Sequence, residues 1–121
     1  MASFTKPGIS MNWIELNNLQ QLSLIRELSR SRPQVIFKHN TRCYTSTIVK
    51  NRLERVDQPG SIDFYFLDLL KFRSVSNRVA EDFSVYHESP QVLLIKDAAC
   101  IYEESHSAID MAGILEQAGL I

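Results

Sequence analysis

The sequence predicts a single α/β domain with a mixed β-sheet and helices packed on both of its faces. Three observations support this prediction. Apolar, β-branched and aromatic runs alternate with segments of helical periodicity along the chain. The last two strand-like runs follow each other without a helix between them, as in an antiparallel hairpin. The 121 residues suffice for one core, and their 45% apolar and 22% charged residues are ordinary for a globular domain.

The first half of the chain contains three predicted strands and two predicted helices. Residues 1–10 include Pro7-Gly8 and little periodicity, so we expect a partly disordered tail, with the domain covering residues 11–121. Asn17 or Asn18 can cap the first helix, which ends before Pro33. The predicted elements are an edge strand at 13–15, a helix with apolar positions Leu19, Leu22, Ile25 and Leu28, a buried strand at 34–39, a helix from the residues after Cys43 to about 56, and a strand at 62–67.

The second half adds one helix, a hairpin and a final helix. Ser74 or Ser76 can cap a helix that runs to Phe83. Residues 91–96 are strongly apolar and predict a strand, which a tight turn at 97–99 joins to a partner at 100–104. Ser107 and Asp110 have the spacing of a capping box, which predicts the start of the last helix.

This order of elements, (β)αβαβαββα, matches the thioredoxin fold. Alternating strands and helices imply parallel strands with helices on both faces, and the closing hairpin adds antiparallel strands. We therefore expect a thioredoxin-like α/β domain, with a central mixed sheet of four to five strands flanked by about four helices. Other small α/β folds share the alternation.

Composition argues against several classes of partner. The formal net charge is −1, whereas nucleic acids and anionic membranes select a basic excess. No apolar run has the length of a membrane span, and the first residues lack the apolar stretch of a signal peptide. We therefore expect a cytoplasmic protein that binds neither nucleic acid nor membrane. In that compartment the two cysteines are expected to be free thiols.

Cys43 is the candidate nucleophile because it lies where a buried strand gives way to a helix. The first turn of a helix offers free backbone N–H groups and the positive end of the dipole, and both favour a thiolate. Arg42 adds a neighbouring cation, and Lys38 or His39 adds another if its side chain faces the same way. The alternative is that Cys43 is a small buried apolar residue.

Ser46 occupies the position at which a second thiol would complete a C-x-x-C motif. A serine cannot resolve a mixed disulfide, so a thiol from solution or from another protein must do so. The pattern therefore indicates one-thiol chemistry. The alternative is that Ser46 is simply a residue of the first helical turn.

Ser89-Pro90 precedes the predicted strand at 91–96. A proline is tolerated at the start of a strand because its missing N–H is not needed there. In a thioredoxin fold this proline is usually cis and faces the nucleophile, where it exposes the preceding backbone to an extended substrate. The alternative is an ordinary trans turn.

The other candidate residues give weaker signals. Cys100 follows the hairpin turn and so lies roughly 15–18 Å from the active end, too far for a disulfide with Cys43. His39, His87 and His106 fall near that end but lack the spacing of a metal site, so we expect surface or hydrogen-bonding roles and no metal.

Four stretches resemble the monothiol bacilliredoxins, thioredoxin-like bacterial proteins of the bacillithiol system that were once grouped as general stress proteins. They are residues 37–43, 67–77, 87–95 and 105–107. The resemblance implies a cytoplasmic thiol-disulfide oxidoreductase in which Cys43 removes bacillithiol, or a similar small thiol, from mixed disulfides on client proteins. Bacillithiol would be a co-substrate, with no tightly bound cofactor.

The resemblance also implies roles for individual residues. Arg42 and Ser46 would stabilise the thiolate, Thr41, Ser89 and Pro90 would position the substrate, and His39 would tune the site. One departure concerns the residues between Cys43 and Ser46. Family members often have Ile there, whereas this chain has Tyr44-Thr45, which bears on rate and client preference.

Two other functions fit parts of the pattern. Residues 39–43 are similar to the H-N-x-x-C segment of glutaredoxin-dependent arsenate reductases, which also have a lone nucleophilic cysteine. A thioredoxin-like domain can also act without catalysis, as a binding module or a redox sensor. Arsenate turnover would distinguish the first alternative from thiol-disulfide exchange. The reactivity of Cys43 would distinguish the second alternative from an enzyme.

Overall fold

Five strands form one mixed sheet in the computed structural model, which describes residues 11–121. The strands are β1 (Trp13–Glu15), β2 (Gln34–His39), β3 (Asp63–Asp68), β4 (Gln91–Lys96) and β5 (Ala99–Ser105). Their order is β1-β3-β2-β4-β5. The first three are parallel, β4 is antiparallel to β2, and β5 is antiparallel to β4. The predicted mixed sheet is confirmed, and the predicted tail at 1–10 lies outside the described residues.

The helices are α1 (Gln20–Leu28), α2 (Tyr44–Glu54), α3 (Arg73–Asp82) and α4 (Met111–Gln117). Helices α2 and α4 pack on one face of the sheet and α1 and α3 on the other, because two separate apolar clusters hold them there. The first cluster contains Val35, Phe37, Val49, Leu53, Phe64, Val92, Leu94 and Ile114 among others. The second contains Leu22, Ile25, Ile36, Leu67, Val75, Val79, Leu93 and Ile95 among others. None of the helices within residues 11–121 combines the length and apolar character needed to cross a bilayer.

Strand β2 is the centre of the sheet, and all six of its residues are buried. Because side chains alternate along a strand, Val35 and Phe37 face α2 while Ile36 faces α1 and α3. The same alternation places the last two residues, Lys38 and His39, on opposite faces. This separation determines which part of the active end each of them contacts.

The start of α1 agrees with the prediction, whereas α3 begins earlier than predicted. The side-chain oxygen of Asn18 accepts a hydrogen bond from the N–H of Gln21 at 3.0 Å. Helix α3 begins at Arg73 rather than after Ser74 or Ser76. The reason is that Asp68 Oδ1 accepts hydrogen bonds from Leu70 and Lys71 and turns the chain into the helix before it reaches those serines.

The last helix also begins at a different residue. Ser107 was expected to cap it but lies in a short 3-10 turn, His106–Ala108. Asp110 is the N-cap instead, and its Oδ1 accepts a hydrogen bond from Gly113 N–H at 2.9 Å. Between them Ile109 is extended and fully buried, so the chain first inserts this side chain into the core and only then starts the helix.

This correction gives the first testable prediction. Asp110→Ala should lower the free energy of unfolding by about 0.5–2 kcal/mol, because the first turn of α4 loses its cap. Ser107→Ala should change it by less than about 0.5 kcal/mol, since Ser107 is exposed and caps nothing. Urea unfolding followed by circular dichroism measures both variants. A larger loss for Ser107→Ala than for Asp110→Ala would contradict the assignment.

Candidate active site

Cys43 is the N-cap residue of α2, directly after the carboxyl end of β2. Its backbone is extended, with φ −106° and ψ 118°, and its carbonyl accepts the hydrogen bond from Thr47 N–H at 3.2 Å that opens the helix. The residue is partly exposed. The sulfur therefore lies at the start of a helix, as predicted, and is not sealed inside the apolar core.

Asn40 shapes the loop that presents Cys43. Its carbonyl accepts a hydrogen bond from Cys43 N–H at 3.0 Å, and its side-chain oxygen accepts one from Arg42 N–H at 2.9 Å. Both contacts tighten the turn so that Thr41 and Arg42 lie on the surface. The guanidinium of Arg42 has no hydrogen bond or ion pair within residues 11–121, which leaves this cation free to meet an anionic group near Cys43.

Ser46 connects the end of β2 to the first turn of α2. Its side chain is fully buried, and its Oγ accepts a hydrogen bond from Asn40 N–H at 3.0 Å. The same oxygen lies 2.7 Å from His39 Nδ1. The resemblance assigned Ser46 to the thiolate, but within residues 11–121 its polar contacts are with Asn40 and His39. Ser46 thus fixes the start of the turn that leads to Cys43.

His39 faces α2 and is packed among aromatic rings. Its ring centroid lies 5.2 Å from that of Phe66 and 5.8 Å from that of Phe37. Burial lowers the pKa of His39 below its usual 6.5, and the nearby charge of Lys50 acts in the same direction. The imidazole is therefore neutral at pH 7. It contacts Ser46, so any tuning of Cys43 passes through that hydroxyl.

The Ser89-Pro90 peptide is cis, as expected for the thioredoxin fold. Because β4 is antiparallel to β2, its first residue, Gln91, pairs with Lys38 near the end of β2. Pro90 therefore lies at the same end of the sheet as Cys43. The backbone N–H and C=O of Ser89 have no hydrogen-bond partner within residues 11–121.

The buried side chain of Gln91 holds the loop before Pro90 from the inside. Its Nε2 donates to Tyr86 O at 3.0 Å, and its Oε1 accepts from Glu88 N–H at 3.3 Å. Sequence reasoning missed this residue. The available signal was a polar side chain at the first position of an otherwise apolar strand.

Lys38 points away from α2 and does not approach Cys43 from that side. Its Nζ lies 3.2 Å from Ser76 O in α3 and 3.2 Å from His87 Nδ1. The side chain is fully buried, and burial lowers the pKa of Lys38 to about 8. Neither Lys38 nor His39, which the sequence offered as cations in addition to Arg42, therefore places a free positive charge beside the Cys43 thiol.

Cys100 lies at the opposite end of the sheet, as predicted, where it pairs with Ile95. Its Sγ donates to Tyr102 O at 3.3 Å, and burial raises the pKa of the Cys100 thiol. The histidines do not assemble a metal site with other side chains, since residues 11–121 contain no group of three or more His, Cys, Asp and Glu residues that could hold an ion.

Two exposed aromatic side chains lie near the active end. Tyr44 follows Cys43 directly and is 80% exposed, and Tyr86, in the loop before Pro90, is 91% exposed. Ile48 lies one helical turn after Tyr44 and is also exposed.

The chain matches the family model described as Monothiol bacilliredoxin BrxC over residues 14–114. Among solved structures, one described as a provisional oxidoreductase with a thioredoxin fold superposes with a TM-score of 0.76, at 21% identity over 86% of this chain and 91% of the other. Thioredoxin from Malassezia sympodialis superposes with a TM-score of 0.71, at 14% identity over 98% and 96%. Chlamydomonas reinhardtii thioredoxin f2 gives 0.72, at 10% identity over 91% and 99%. The structural matches confirm the thioredoxin fold.

The contacts of Ser46 give the second prediction. Ser46→Ala should lower the free energy of unfolding by about 1–3 kcal/mol, because Asn40 N–H and His39 Nδ1 would be left without a partner in a buried place. Thr47→Ala, at the adjacent exposed position, is the matched control and should change stability by less than about 0.5 kcal/mol. Equal losses for the two variants in urea unfolding would contradict the role assigned to Ser46.

The third prediction concerns stability against pH. Between the lowered pKa of His39 and 6.5 the unfolded chain binds more protons than the folded one. Stability should therefore fall as the pH decreases through about 6.5. His39→Asn should be less stable at pH 7.5 but show a shallower decline between pH 7.5 and 5, measured by urea midpoints. A slope as steep as that of the wild type would show that His39 does not contribute to it.

Proposed function

This chain belongs to the monothiol bacilliredoxin family, and on that premise we propose that it removes bacillithiol, or a similar small thiol, from mixed disulfides on client proteins. The observation that carries the proposal is the position of Cys43. It is partly exposed at the N-terminus of α2, at the same end of the sheet as the cis Ser89-Pro90 peptide, and has a serine three residues later.

The proposed reaction has two exchange steps. In the first, the thiolate of Cys43 attacks the small-thiol sulfur of the mixed disulfide. A bond forms between Cys43 and that sulfur, and the client leaves as a thiolate that takes a proton from water. In the second step another small thiol attacks the same sulfur as its thiolate. This step releases a small-molecule disulfide and regenerates Cys43. The mixed disulfide and one free small thiol thus become the reduced client and a small-molecule disulfide, so one disulfide bond is lost and one is formed without any other oxidant or reductant.

Each neighbour of Cys43 has a proposed part in this exchange. The free N–H groups at the start of α2 and the guanidinium of Arg42 stabilise the attacking thiolate. The unpaired backbone N–H and C=O of Ser89 bind an extended segment of the substrate, in the manner of an added strand. Pro90 holds that backbone in place, and Thr41 borders the entry to the site.

The described residues favour resolution of the intermediate by an outside thiol. Ser46 offers a hydroxyl, which cannot carry out thiol exchange, and its oxygen is already engaged by Asn40 and His39. Cys100 lies at the far end of the sheet with a raised pKa. The loaded Cys43 must therefore wait for a second thiol from solution. This supports monothiol chemistry with a small thiol as co-substrate.

The surface around Cys43 supports a protein as the carrier of the disulfide. Tyr44 and Tyr86 are exposed aromatic side chains of the kind that anchor protein contacts. Tyr44 also occupies part of the segment in which this chain departs from its family. We therefore propose that Tyr44 and Tyr86 determine which client proteins are preferred.

The fourth prediction tests the function directly. A bacillithiolated client protein incubated with this protein should lose the modification, and mass spectrometry should find it on Cys43. Cys43→Ser should abolish the transfer, because a hydroxyl at this position cannot attack a disulfide. Cys100→Ser is the matched control and should transfer at the wild-type rate.

Parallel assays separate the other outcomes. Client S-glutathionylated in the same position tests whether the site is selective for bacillithiol or accepts small thiols generally. Transfer that persists in Cys43→Ser would overturn the proposal. Arsenate turnover with a thiol reductant, in the absence of transfer, would favour the single-cysteine reductase, and client binding without transfer would favour a binding module.

A further inference from the structure

Lys38 is a fully buried cation whose contacts do not include a carboxylate within residues 11–121. Its Nζ contacts a backbone carbonyl, Ser76 O, and an imidazole nitrogen, His87 Nδ1, each at 3.2 Å. Burying an ammonium without an anionic partner is unfavourable. Replacing such a group with an apolar side chain of similar size is often neutral or stabilising. The fold alone therefore does not explain why a lysine lies here.

The partners of Lys38 connect it to the active end. Cross-strand pairing places Lys38 opposite Gln91, the residue after Pro90, so the two side chains lie on the same face of the sheet. His87 lies in the loop that leads to Ser89 and Pro90. Gln91 holds that loop at Tyr86 and Glu88, and Lys38 holds it at His87 between them. Three consecutive residues of the loop are thus fixed from the buried side.

The contact with Lys38 also sets the state of His87. An ammonium can only donate, so Nδ1 must accept, and the proton of the neutral ring then lies on Nε2. The charges around His87 are Lys38 on β2, Arg73 at the start of α3 and Glu88 in the loop itself. Glu88 in turn lies 3.4 Å from His106. Partial burial of the ring and the two cations lower the pKa of His87, which keeps the ring neutral at pH 7.

We propose that Lys38 is a positioning residue for thiol exchange: by holding His87 it fixes the loop whose Ser89 backbone receives the substrate disulfide. This inference rests on the proposed function. It assigns Lys38 to substrate placement and leaves the thiolate of Cys43 to the opposite face, where His39 and Ser46 lie. The rate at which a small alkylating agent modifies Cys43 should therefore not depend on Lys38, because such an agent needs no strand-like pairing.

The interaction also has a limited pH range. Below the lowered pKa of His87 the ring becomes a second cation beside Lys38, and the hydrogen bond is lost. Above about 8 Lys38 loses its own charge and becomes a weaker donor. The loop should consequently be best ordered between these limits.

The test, and the fifth prediction, compares exchange with simple alkylation in Lys38→Met. Its kcat/KM for the disulfide substrate should fall about 5- to 10-fold, the effect of one lost hydrogen bond of ordinary strength. The rate of iodoacetamide with Cys43 should change less than about twofold, and the urea midpoint should not decrease. Lys96→Met, at the exposed far end of β4, is the matched control and should leave all three unchanged.

Two further measurements follow the loop itself. His87→Ala should slow exchange as much as Lys38→Met, and the double variant should be no slower than either, because both remove the same contact. In Lys38→Met the NMR titration of His87 should move to higher pH, since a neighbouring positive charge is gone. The amide of Glu88 should also exchange with solvent faster.

The outcomes distinguish the possible failures. A Lys38→Met protein with wild-type exchange kinetics would overturn the inference, and so would a parallel fall in exchange and alkylation. If the wild type itself exchanges no disulfide, the proposed function fails, while the NMR titration and amide exchange still decide whether Lys38 holds the loop. If Lys38→Met does not fold, the same comparison between disulfide exchange and alkylation can be made with His87→Ala, because His87 is exposed.

Discussion

The hydroxyl of Ser46 is the contact on which the geometry of the candidate active site depends. It accepts a hydrogen bond from Asn40 N–H at the start of the turn and meets His39 Nδ1 at the end of β2, both inside the protein. A buried N–H without a partner is costly, so this arrangement favours one loop conformation over others. Cys43 is carried by that loop and has its place at the start of α2 for this reason.

The two faces of the sheet hold the two halves of the active end. His39 and Lys38 are consecutive residues of β2, and strand geometry sends them in opposite directions. His39 reaches Ser46 and the cysteine loop, whereas Lys38 reaches His87 and the loop before Pro90. The last two residues of one buried strand thus position both the proposed nucleophile and the backbone proposed to receive its substrate. Membership of the monothiol bacilliredoxin family gives this arrangement its chemical interpretation.

The sequence predicted the sheet well because burial dictates the pattern of a strand. The apolar runs inside β4 and β2 required only local reading, and the position of Pro90 followed from the order of elements. Helix starts were harder, since α3 begins without a side-chain cap after the turn held by Asp68, and Asp110 rather than Ser107 caps α4. The contacts of Lys38 with His87 and of Gln91 with Tyr86 could not be predicted, because each depends on how chain segments pack after folding.

The proposed function requires that the sulfur of Cys43 be reactive at neutral pH while the sulfur of Cys100 is not. Competitive labelling of the native protein with limiting iodoacetamide at pH 7, resolved by mass spectrometry, measures this directly. We expect Cys43 to be alkylated at least about tenfold faster than Cys100, because partial burial raises the pKa of the Cys100 thiol. Equal labelling of the two cysteines, or faster labelling of Cys100, would contradict the assignment of Cys43 as the nucleophile.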